Sequence, residues 1–303
     1  MASARIVSDS RVVIVTGASS GIGRSAARRF VELGWRVIGL GRDPDRCAAA
    51  ETELAGVAAG SSGGFTMLRG DFTLMAEVAR LAEEIRVHVP HVDVLINNAG
   101  GVRDRRIVTA EGIEATFAAN HLAPFLLTRQ LRPLLRAAKD TSAGSARVIA
   151  VSSSAHRISQ GLDWDDLQSL GRFHPAVAYG QAKLANILFT RELARRAPNH
   201  IVAQAMHPGI VASNFASHGD GQMRAHMAAA NTVSPDIPAE TLVWLATDPE
   251  GGRCGGRYFH DKAEETPSPA ALDDGAAARL WAASEQLLDE LGAVESVPTP
   301  PTG

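Results

Sequence analysis

Short runs of aliphatic and β-branched residues alternate along this chain with longer, alanine-rich segments in which apolar residues recur at helical spacing. The short runs predict buried strands, over Arg11–Thr16, Trp35–Leu40, Phe65–Arg69, Val92–Ile96, Arg147–Ser152, Ile201–Met206 and Arg257–Phe259. The segments between and after them predict helices, over Ile22–Leu33, Pro44–Leu54, Leu74–Arg86, Glu111–Ala137, Ala176–Ala197, Pro238–Ala246 and Leu272–Leu291.

This alternation predicts the fold class. Strands that are apolar throughout are buried on both faces and pair in parallel, with helices covering the sheet. We therefore expect an α/β protein with a doubly wound parallel sheet, in one domain over residues 11–293, that binds ligands at the carboxyl ends of its strands. Residues 1–10 are expected to be flexible, and the Pro- and Thr-rich tail 294–303 to be disordered.

Composition and charge exclude several other classes of protein. The 303 residues include 30 Lys and Arg against 33 Asp and Glu, with no basic block, which argues against a nucleic-acid partner. No apolar run approaches the roughly 18 residues of a membrane span, and the N-terminus lacks the apolar core of a signal peptide. Two distant cysteines, Cys47 and Cys254, suit a reducing compartment, so a cytoplasmic location is expected.

A glycine-rich turn follows the first predicted strand and opens the first predicted helix. Its missing side chains would let a pyrophosphate approach the backbone and the positive end of the helix. The residues expected to bind a dinucleotide here are Gly17, Ser19, Ser20, Gly21, Ile22 and Gly23. The same segment also fits the G-x-S-x-G elbow of hydrolases, with Ser19 as nucleophile, although that elbow normally follows several earlier strands.

Four further signatures follow in order along the chain: Asn97–Gly100 after the fourth strand, Asn120 within a helix, Ser152–Ser154 after the fifth strand, and Tyr179 with Lys183 on a helix. Together with the glycine-rich turn, they resemble the short-chain dehydrogenase/reductase family in its single-domain branch, and its retinol-dehydrogenase-like members in particular. The resemblance implies a Rossmann fold. It also implies an enzyme that interconverts a ketone or aldehyde and an alcohol by hydride transfer.

The resemblance assigns four catalytic residues. Tyr179 would be the general acid and base, Ser153 would position the substrate oxygen, Lys183 would bind the nicotinamide ribose, and Asn120 would hold a water in a proton relay. Tyr179 and Lys183 are four residues apart, so they share a helix face. We expect the lysine ammonium and a cationic oxidised nicotinamide together to lower the pKa of the phenol.

The end of the second strand bears on cofactor choice. Gly41 stands where an NAD-type carboxylate would accept the ribose 2′-hydroxyl, and Arg42 suits a 2′-phosphate. NADP(H) is therefore favoured over NAD(H), although Asp43 could neutralise Arg42 or bind a ribose itself. The remaining cofactor-binding residues implied by the resemblance are Asp71, Phe72, Asn98, Ala99, Gly100, Tyr179, Lys183, Pro208, Gly209, Val211 and Ser213.

The substrate and the rival functions complete these expectations. Residues 214–236 are expected to form a substrate lid over a lipophilic carbonyl or alcohol, and no metal site is expected among the ten histidines. A homo-oligomer is compatible with a family that pairs through long helices. The alternatives are epimerisation, dehydration or cyclisation on the same fold, a nucleotide sensor without catalysis, and the hydrolase that uses Ser19.

Overall fold

The strands of the computed structural model form one sheet in the order β3-β2-β1-β4-β5-β6-β7-β8. The structure describes residues 10–138, 145–212, 219, 221, 225 and 228–292. The strands are β1 Val12–Thr16, β2 Arg36–Gly41, β3 Gly64–Arg69, β4 Val94–Asn97, β5 Ala146–Val151, β6 Ile201–Met206, β7 Arg257–His260 and β8 Ala263–Glu264. Every pair is parallel except β7 with β8. The predicted doubly wound α/β fold is therefore confirmed.

Helices cover both faces of this sheet. They are α1 Gly21–Glu32, α2 Pro44–Ala58, α3 Met75–His88, α4 Ala115–Phe117, α5 Ala123–Gln130, α6 Arg132–Ala137, α7 Pro175–Arg196, α8 Asp236–Thr247 and α9 Asp274–Glu290. A π-helical segment, Ala118–Leu122, joins α4 to α5. Within the described ranges, no helix is both long enough and apolar enough to cross a lipid bilayer.

Alternation along β1 shows how the two faces are filled. Val13 and Val15 pack into a core shared with α1 and α8, whereas Ile14 packs into the core beneath α3, α5 and α7. Successive side chains of a strand point to opposite faces. The valines on one face of β1 and the isoleucine on the other are all fully buried. This two-sided burial explains why the strands are apolar throughout rather than alternating with polar residues.

The prediction of one long helix over Glu111–Ala137 is wrong in where the helix starts and in its continuity. The Glu114 carboxylate accepts the N–H groups of Thr116 and Phe117 and so begins the helix at Ala115. Glu111 instead accepts two N–H groups at the start of α3. Prolines at positions 124 and 133 withhold the N–H that a continuous α-helix needs, which accounts for the later breaks.

The order of strands reverses at β1, whose neighbours are β2 and β4. Crossovers leave in opposite directions there, and ligands of such sheets bind in the resulting crevice. Thr16 fixes this edge, because its hydroxyl accepts the N–H groups of Asn98 and Ala99 at 2.9 and 2.8 Å. The segments expected to be flexible or disordered, 1–10 and 294–303, lie outside the described residues except for Ser10.

Candidate active site

A cleft of about 620 Å³ runs along the carboxyl ends of the parallel strands, at the reversal of strand order. It brings together sixteen of the residues expected to bind the cofactor, and Ser153 in addition to them. Those sixteen are Gly17, Ser19, Ser20, Gly21, Ile22, Arg42, Asp71, Phe72, Asn98, Ala99, Gly100, Tyr179, Lys183, Pro208, Gly209 and Val211.

The glycine-rich turn forms the floor of the cleft. Gly17 and Gly21 have φ values of +72° and +53°, which residues other than glycine rarely adopt. Helix α1 starts without a side-chain cap, so N–H groups of its first turn remain for a ligand. Gly23 does not border the cleft. A Cβ there would overlap the Gly17 carbonyl oxygen, so this glycine serves the close packing of helix and turn.

The surroundings of Ser19 do not support a nucleophile elbow. Its hydroxyl hydrogen-bonds with the thiol of Cys47, and it follows the first strand of the sheet rather than a later one. Within the described part of the chain, no histidine hydrogen-bonds to Ser19 that could act as its base.

The three serines after β5 point in different directions. Ser152 is buried and donates to the carbonyl of Lys183 at 2.7 Å, while Ser154 is exposed. Ser153 faces the cleft, where its hydroxyl accepts the N–H of Ala155 at 3.2 Å and hydrogen-bonds with the Tyr179 hydroxyl. Ser153 and Tyr179 are thus paired at one end of the cleft, close enough to contact the same substrate oxygen.

Lys183 lies one turn beyond Tyr179 on α7. Its Nζ donates to the carbonyl of Val151 at 3.0 Å and is 5.5 Å from the centroid of the Tyr179 ring. Burial lowers the pKa of Lys183 from 10.5 to about 7. Burial also raises the pKa of Tyr179, and the Ser153 hydrogen bond only partly opposes this. In the ligand-free protein, burial therefore sets the pKa of Tyr179. The lowering expected from Lys183 together with an oxidised nicotinamide stays a prediction for the cofactor-bound state.

Asn120 lies in the π-helical segment and does not border the cleft directly. Its amide exchanges hydrogen bonds with the backbone of Gly101, at 3.1 and 2.9 Å, and donates to the carbonyl of Thr116 at 2.8 Å. Pro124 lacks the N–H that would bond the Asn120 carbonyl in an α-helix. A Cβ on Gly100 would overlap Asn120 Oδ1 and approach Lys183 Nζ at 3.5 Å, so Asn120 and Lys183 both lie beside this glycine.

Sequence reasoning did not identify His156 as a support for Ser153. This fully buried imidazole accepts the N–H of Ser268 through Nε2 at 3.0 Å. Its Nδ1 therefore carries the proton, which it donates to the Ser153 carbonyl at 2.7 Å. Burial lowers the pKa of His156, so the ring stays neutral. The sequence pattern around His156 does not indicate that it supports Ser153, because the partner that fixes its ring, Ser268, is remote in sequence.

At the opposite end of the cleft, Arg42 lies 3.6 Å from Asp71. Asp43 does not neutralise Arg42, since its carboxylate caps helix α2 through the N–H of Arg46 at 2.9 Å. A side chain at Gly41 has no room here, because its Cβ would lie 2.6 Å from Cys47 Sγ. The position of the NAD-type carboxylate is thus closed by the buried thiol as well as by the glycine itself.

Two further arginines, Arg46 and Arg103, border this end and were missed. Arg103 follows the Asn97–Gly100 motif, where the sequence offers no periodic or motif signal for it. Burial and then the charge of Arg42 lower the pKa of the Arg103 guanidinium. The cofactor-binding end of the cleft therefore has more positive charge than the sequence predicts.

The segment after β6 forms the remaining wall, with Pro208, Gly209 and Val211 in the cleft. Val233 donates to the Ile210 carbonyl and accepts from the N–H of Ala212, which ties this wall to the chain before α8. Ser213 lies outside the described residues. Of the predicted lid, residues 214–236, only 219, 221, 225 and 228–236 are described.

The segment between Ser153 and Tyr179 does not bring its aromatic residues Trp164 and Phe173 into the cleft. Trp164 lies instead under Arg279 of α9, with 4.2 Å between the guanidinium carbon and the ring centroid. The Asp166 carboxylate accepts N–H groups of residues 170–172. No group of three or more His, Cys, Asp or Glu in the described ranges could hold a metal ion.

Comparison with known proteins agrees with this geometry. The family model of the short chain dehydrogenases matches residues 11–222. Mouse retinol dehydrogenase 14 is 35% identical over 292 residues, which cover 92% of this chain and 86% of that protein. The "Putative daunorubicin C-13 ketoreductase DnrU" of Streptomyces sp. (strain C5) is 38% identical over 278 residues, covering 90% and 91%.

Among solved structures, the active-site complex of Pseudomonas aeruginosa RhlG with NADP matches with a TM-score of 0.66 at 27% identity, covering 89% of this chain and 97% of that one. Fold, cleft and relatives thus agree on a nucleotide-dependent oxidoreductase that interconverts carbonyl compounds and alcohols. The chain belongs to the short-chain dehydrogenase/reductase family.

Proposed function

We propose that this protein is an NADP(H)-preferring carbonyl reductase and alcohol dehydrogenase for a lipophilic substrate, with Tyr179 as its general acid and base. The observation that carries the proposal is the layout of the cleft. Tyr179, Ser153 and Lys183 meet at one end, and an uncapped helix with nearby arginines borders the other. A dinucleotide is long enough to join these two ends.

The described residues fit a nicotinamide dinucleotide. Side chains are excluded at Gly17, where a Cβ would lie 2.8 Å from Asn98 Nδ2, so the backbone is open to a pyrophosphate. In this proposal, Lys183 binds the nicotinamide ribose and Pro208 to Val211 line the nicotinamide ring; their position along the cleft supports these roles. When bound, the cofactor supplies the hydride.

The residues of the chain supply the proton and hold the substrate oxygen. Burial keeps Tyr179 as a neutral phenol at neutral pH, the form that donates a proton to a carbonyl oxygen during reduction. The Ser153 hydroxyl holds that oxygen beside Tyr179. In this proposal, Lys183 and a water held beside Asn120 return a proton from solvent to the phenol, and the Asn120 amide orders the neighbouring backbone at Gly101.

The apolar lining at the Tyr179 end supports a lipophilic substrate. Val151, Ala155, Ile158 and Ile210 border this part of the cleft, and the side chains of Ile158 and Ile210 are partly exposed at its mouth. The names of two relatives point the same way, since retinol is largely apolar and daunorubicin carries a large polycyclic aromatic ring system.

The proposal also includes a cytoplasmic location and a homo-oligomeric state. A cytoplasmic location is supported by Cys47 and Cys254, which are unpaired thiols as is usual in a reducing compartment. A homo-oligomer is supported only by the habit of the family. Cell fractionation and light scattering of the purified protein test these two expectations.

The test of the activity is stoichiometry. The full-length protein is incubated with NADPH and a panel of lipophilic ketones and aldehydes, and both the alcohol and the oxidised cofactor are quantified. We expect one alcohol formed for each NADPH consumed. Conversion of a substrate without net cofactor use would instead indicate epimerisation, dehydration or cyclisation and would overturn the proposal.

The test of cofactor preference uses Arg42→Ala. A charge-assisted contact with a 2′-phosphate contributes roughly 1.5–3 kcal/mol, so the Kd for NADPH should rise at least about tenfold. The Kd for NADH should stay nearly unchanged. Equal losses for both cofactors, or a wild-type preference for NADH, would contradict the NADP(H) preference.

Reversing the preference requires room for a carboxylate at Gly41. Because a Cβ there would clash with Cys47 Sγ, Gly41→Asp alone should destabilise the fold. The double variant Gly41→Asp/Cys47→Ala removes the clash, with Cys47→Ala as its control. We expect Cys47→Ala to fold and to keep the wild-type cofactor preference. Only the double variant should combine a stable fold with a shift of affinity toward NADH.

A further inference from the structure

The guanidinium of Arg103 is a partly buried cation to which no role has been assigned. It is half-buried in the cleft wall. Within the described part of the chain, it forms no ion pair within 4.0 Å and no hydrogen bond. Other arginines of this region are paired: Arg42 with Asp71, Arg46 with Asp43, and Arg105 with Asp104.

Leaving such a charge unpaired and partly desolvated is unfavourable. Arg103 also lies close enough to Arg42 for the two charges to repel, and this repulsion, with burial, lowers the pKa of Arg103. The carboxylates of Asp71, Glu114 and Asp104 oppose this effect only in part, since among the described residues none lies within 4.0 Å of Arg103. Asp71 Oδ1 already accepts the N–H and hydroxyl of Thr73. The wall therefore has an excess positive charge that faces the cleft.

We propose that Arg103 is a second specificity-determining residue, which together with Arg42 binds the 2′-phosphate of an adenosine nucleotide. A phosphate monoester carries a charge of about −1.5 to −2 at neutral pH. Arg42 alone, half-neutralised by Asp71, does not balance that charge, whereas Arg42 and Arg103 together do. Guanidinium groups from two separate loops also clamp the phosphate from two directions.

This inference rests on the proposed NADP(H) preference and adds a residue to it. The motif that precedes Arg103 places the backbone of Asn98 to Gly100 in the cleft, so the loop that holds the adenosine half would also supply the cation. Arg105, two residues further along, is 77% exposed at its side chain and does not border the cleft. It is therefore a matched control.

The experiment measures binding of adenosine 2′,5′-bisphosphate and adenosine 5′-monophosphate by calorimetry, with the full-length protein and without turnover. The variants are Arg103→Ala, Arg103→Lys and Arg105→Ala. Arg103→Ala should weaken the bisphosphate about tenfold or more and the monophosphate less than about twofold. The affinity of Arg103→Lys for the bisphosphate should be intermediate, because lysine keeps the charge but lacks the planar guanidinium. Arg105→Ala should match wild type.

The thermal midpoint of the ligand-free variants is a second readout. Because Arg103 is unpaired and repelled by Arg42, Arg103→Ala should keep or raise Tm without ligand and should lose the additional Tm gain that the bisphosphate gives wild type over the monophosphate. An equal loss of both nucleotides, or no loss of either, overturns the role of Arg103. If wild type itself binds both nucleotides equally, the NADP(H) preference fails instead, so the two failures are distinguishable.

Discussion

At the scale of single residues, burial determines the protonation of the proposed catalytic pair, Tyr179 and Lys183. Tyr179 and Lys183 are 6% and 4% exposed, and desolvation favours the neutral form of each. The pair therefore differs from a simple picture in which the ammonium lowers the pKa of the phenol. In the ligand-free site, the phenol keeps its proton and Lys183 titrates near pH 7.

The pH dependence of stability tests this protonation. Between about pH 7 and 10.5, the unfolded chain holds the Lys183 proton while the native state releases it, so this residue makes stability rise with pH. The Tm of Lys183→Met, measured by calorimetry from pH 7 to 10, should therefore lack part of the wild-type rise. Lys262→Met, at an exposed lysine, is the control. Identical pH profiles for Lys183→Met and wild type would contradict the account.

At the scale of elements, the site depends on close contact between the glycine-rich turn and helix α1. Gly23 lies in the first turn of α1, against the backbone of Gly17 and the side chain of Asn98. Such a contact lets the helix start directly behind the turn, with its N–H groups directed at the cleft. The sequence predicts the turn and the helix separately, but not that this glycine serves packing rather than ligand contact.

Two glycine-to-alanine substitutions separate these roles. Gly23→Ala should destabilise the protein by about 1–3 kcal/mol, as expected for an overpacked contact with backbone. Gly56→Ala, on the exposed side of α2 with nothing within 4 Å of its Cβ, should stabilise it by about 0.5–1 kcal/mol. Urea unfolding measures both. Equal effects of the two substitutions would show that α1 does not pack as the structure describes.

At the scale of the whole molecule, local pattern was enough to predict the seven parallel strands, but not the antiparallel edge strand β8 or all the residues at the carboxyl edge of the sheet. The strands and the Tyr179–Lys183 pair were predictable because each depends on a few neighbouring residues. The interruption of the helix at Ala118–Leu122 is accounted for by Pro124, whose missing N–H leaves the Asn120 carbonyl without its α-helical partner, and periodicity alone does not show it. The approach of Arg103 to Arg42 depends on how two distant loops meet, which no local spacing encodes.

Acid should destabilise the whole fold through its buried imidazoles. Burial lowers the pKa of His121 to about 3, and also lowers the pKa values of His156 and His207. Below about pH 6.5, the unfolded chain binds protons that the native state does not bind. Each such group therefore lowers the free energy of unfolding by up to about 1.4 kcal/mol per pH unit. Stability provided by these groups is therefore present at pH 7 and lost as the pH falls.

His121 provides the clearest test of this acid sensitivity, because its Nε2 pairs with Ser284 at 2.8 Å between α9 and the π-helical segment. His121→Gln keeps a polar partner for Ser284 but does not titrate. Its free energy of unfolding should fall less than that of wild type between pH 6.5 and 5, whereas the exposed control His174→Gln should follow wild type. Parallel losses in His121→Gln and wild type would contradict the burial of a neutral His121.

The central claim, that Tyr179 donates the proton during carbonyl reduction, is tested most directly by the turnover of Tyr179→Phe with NADPH and a reducible carbonyl. The substitution removes the hydroxyl and keeps the buried ring, so cofactor Kd and Tm should stay close to wild type. The account predicts that kcat falls by about 10²–10⁴, the contribution typical of a positioned general acid. A Tyr179→Phe protein that binds NADPH and turns over near the wild-type rate would contradict it.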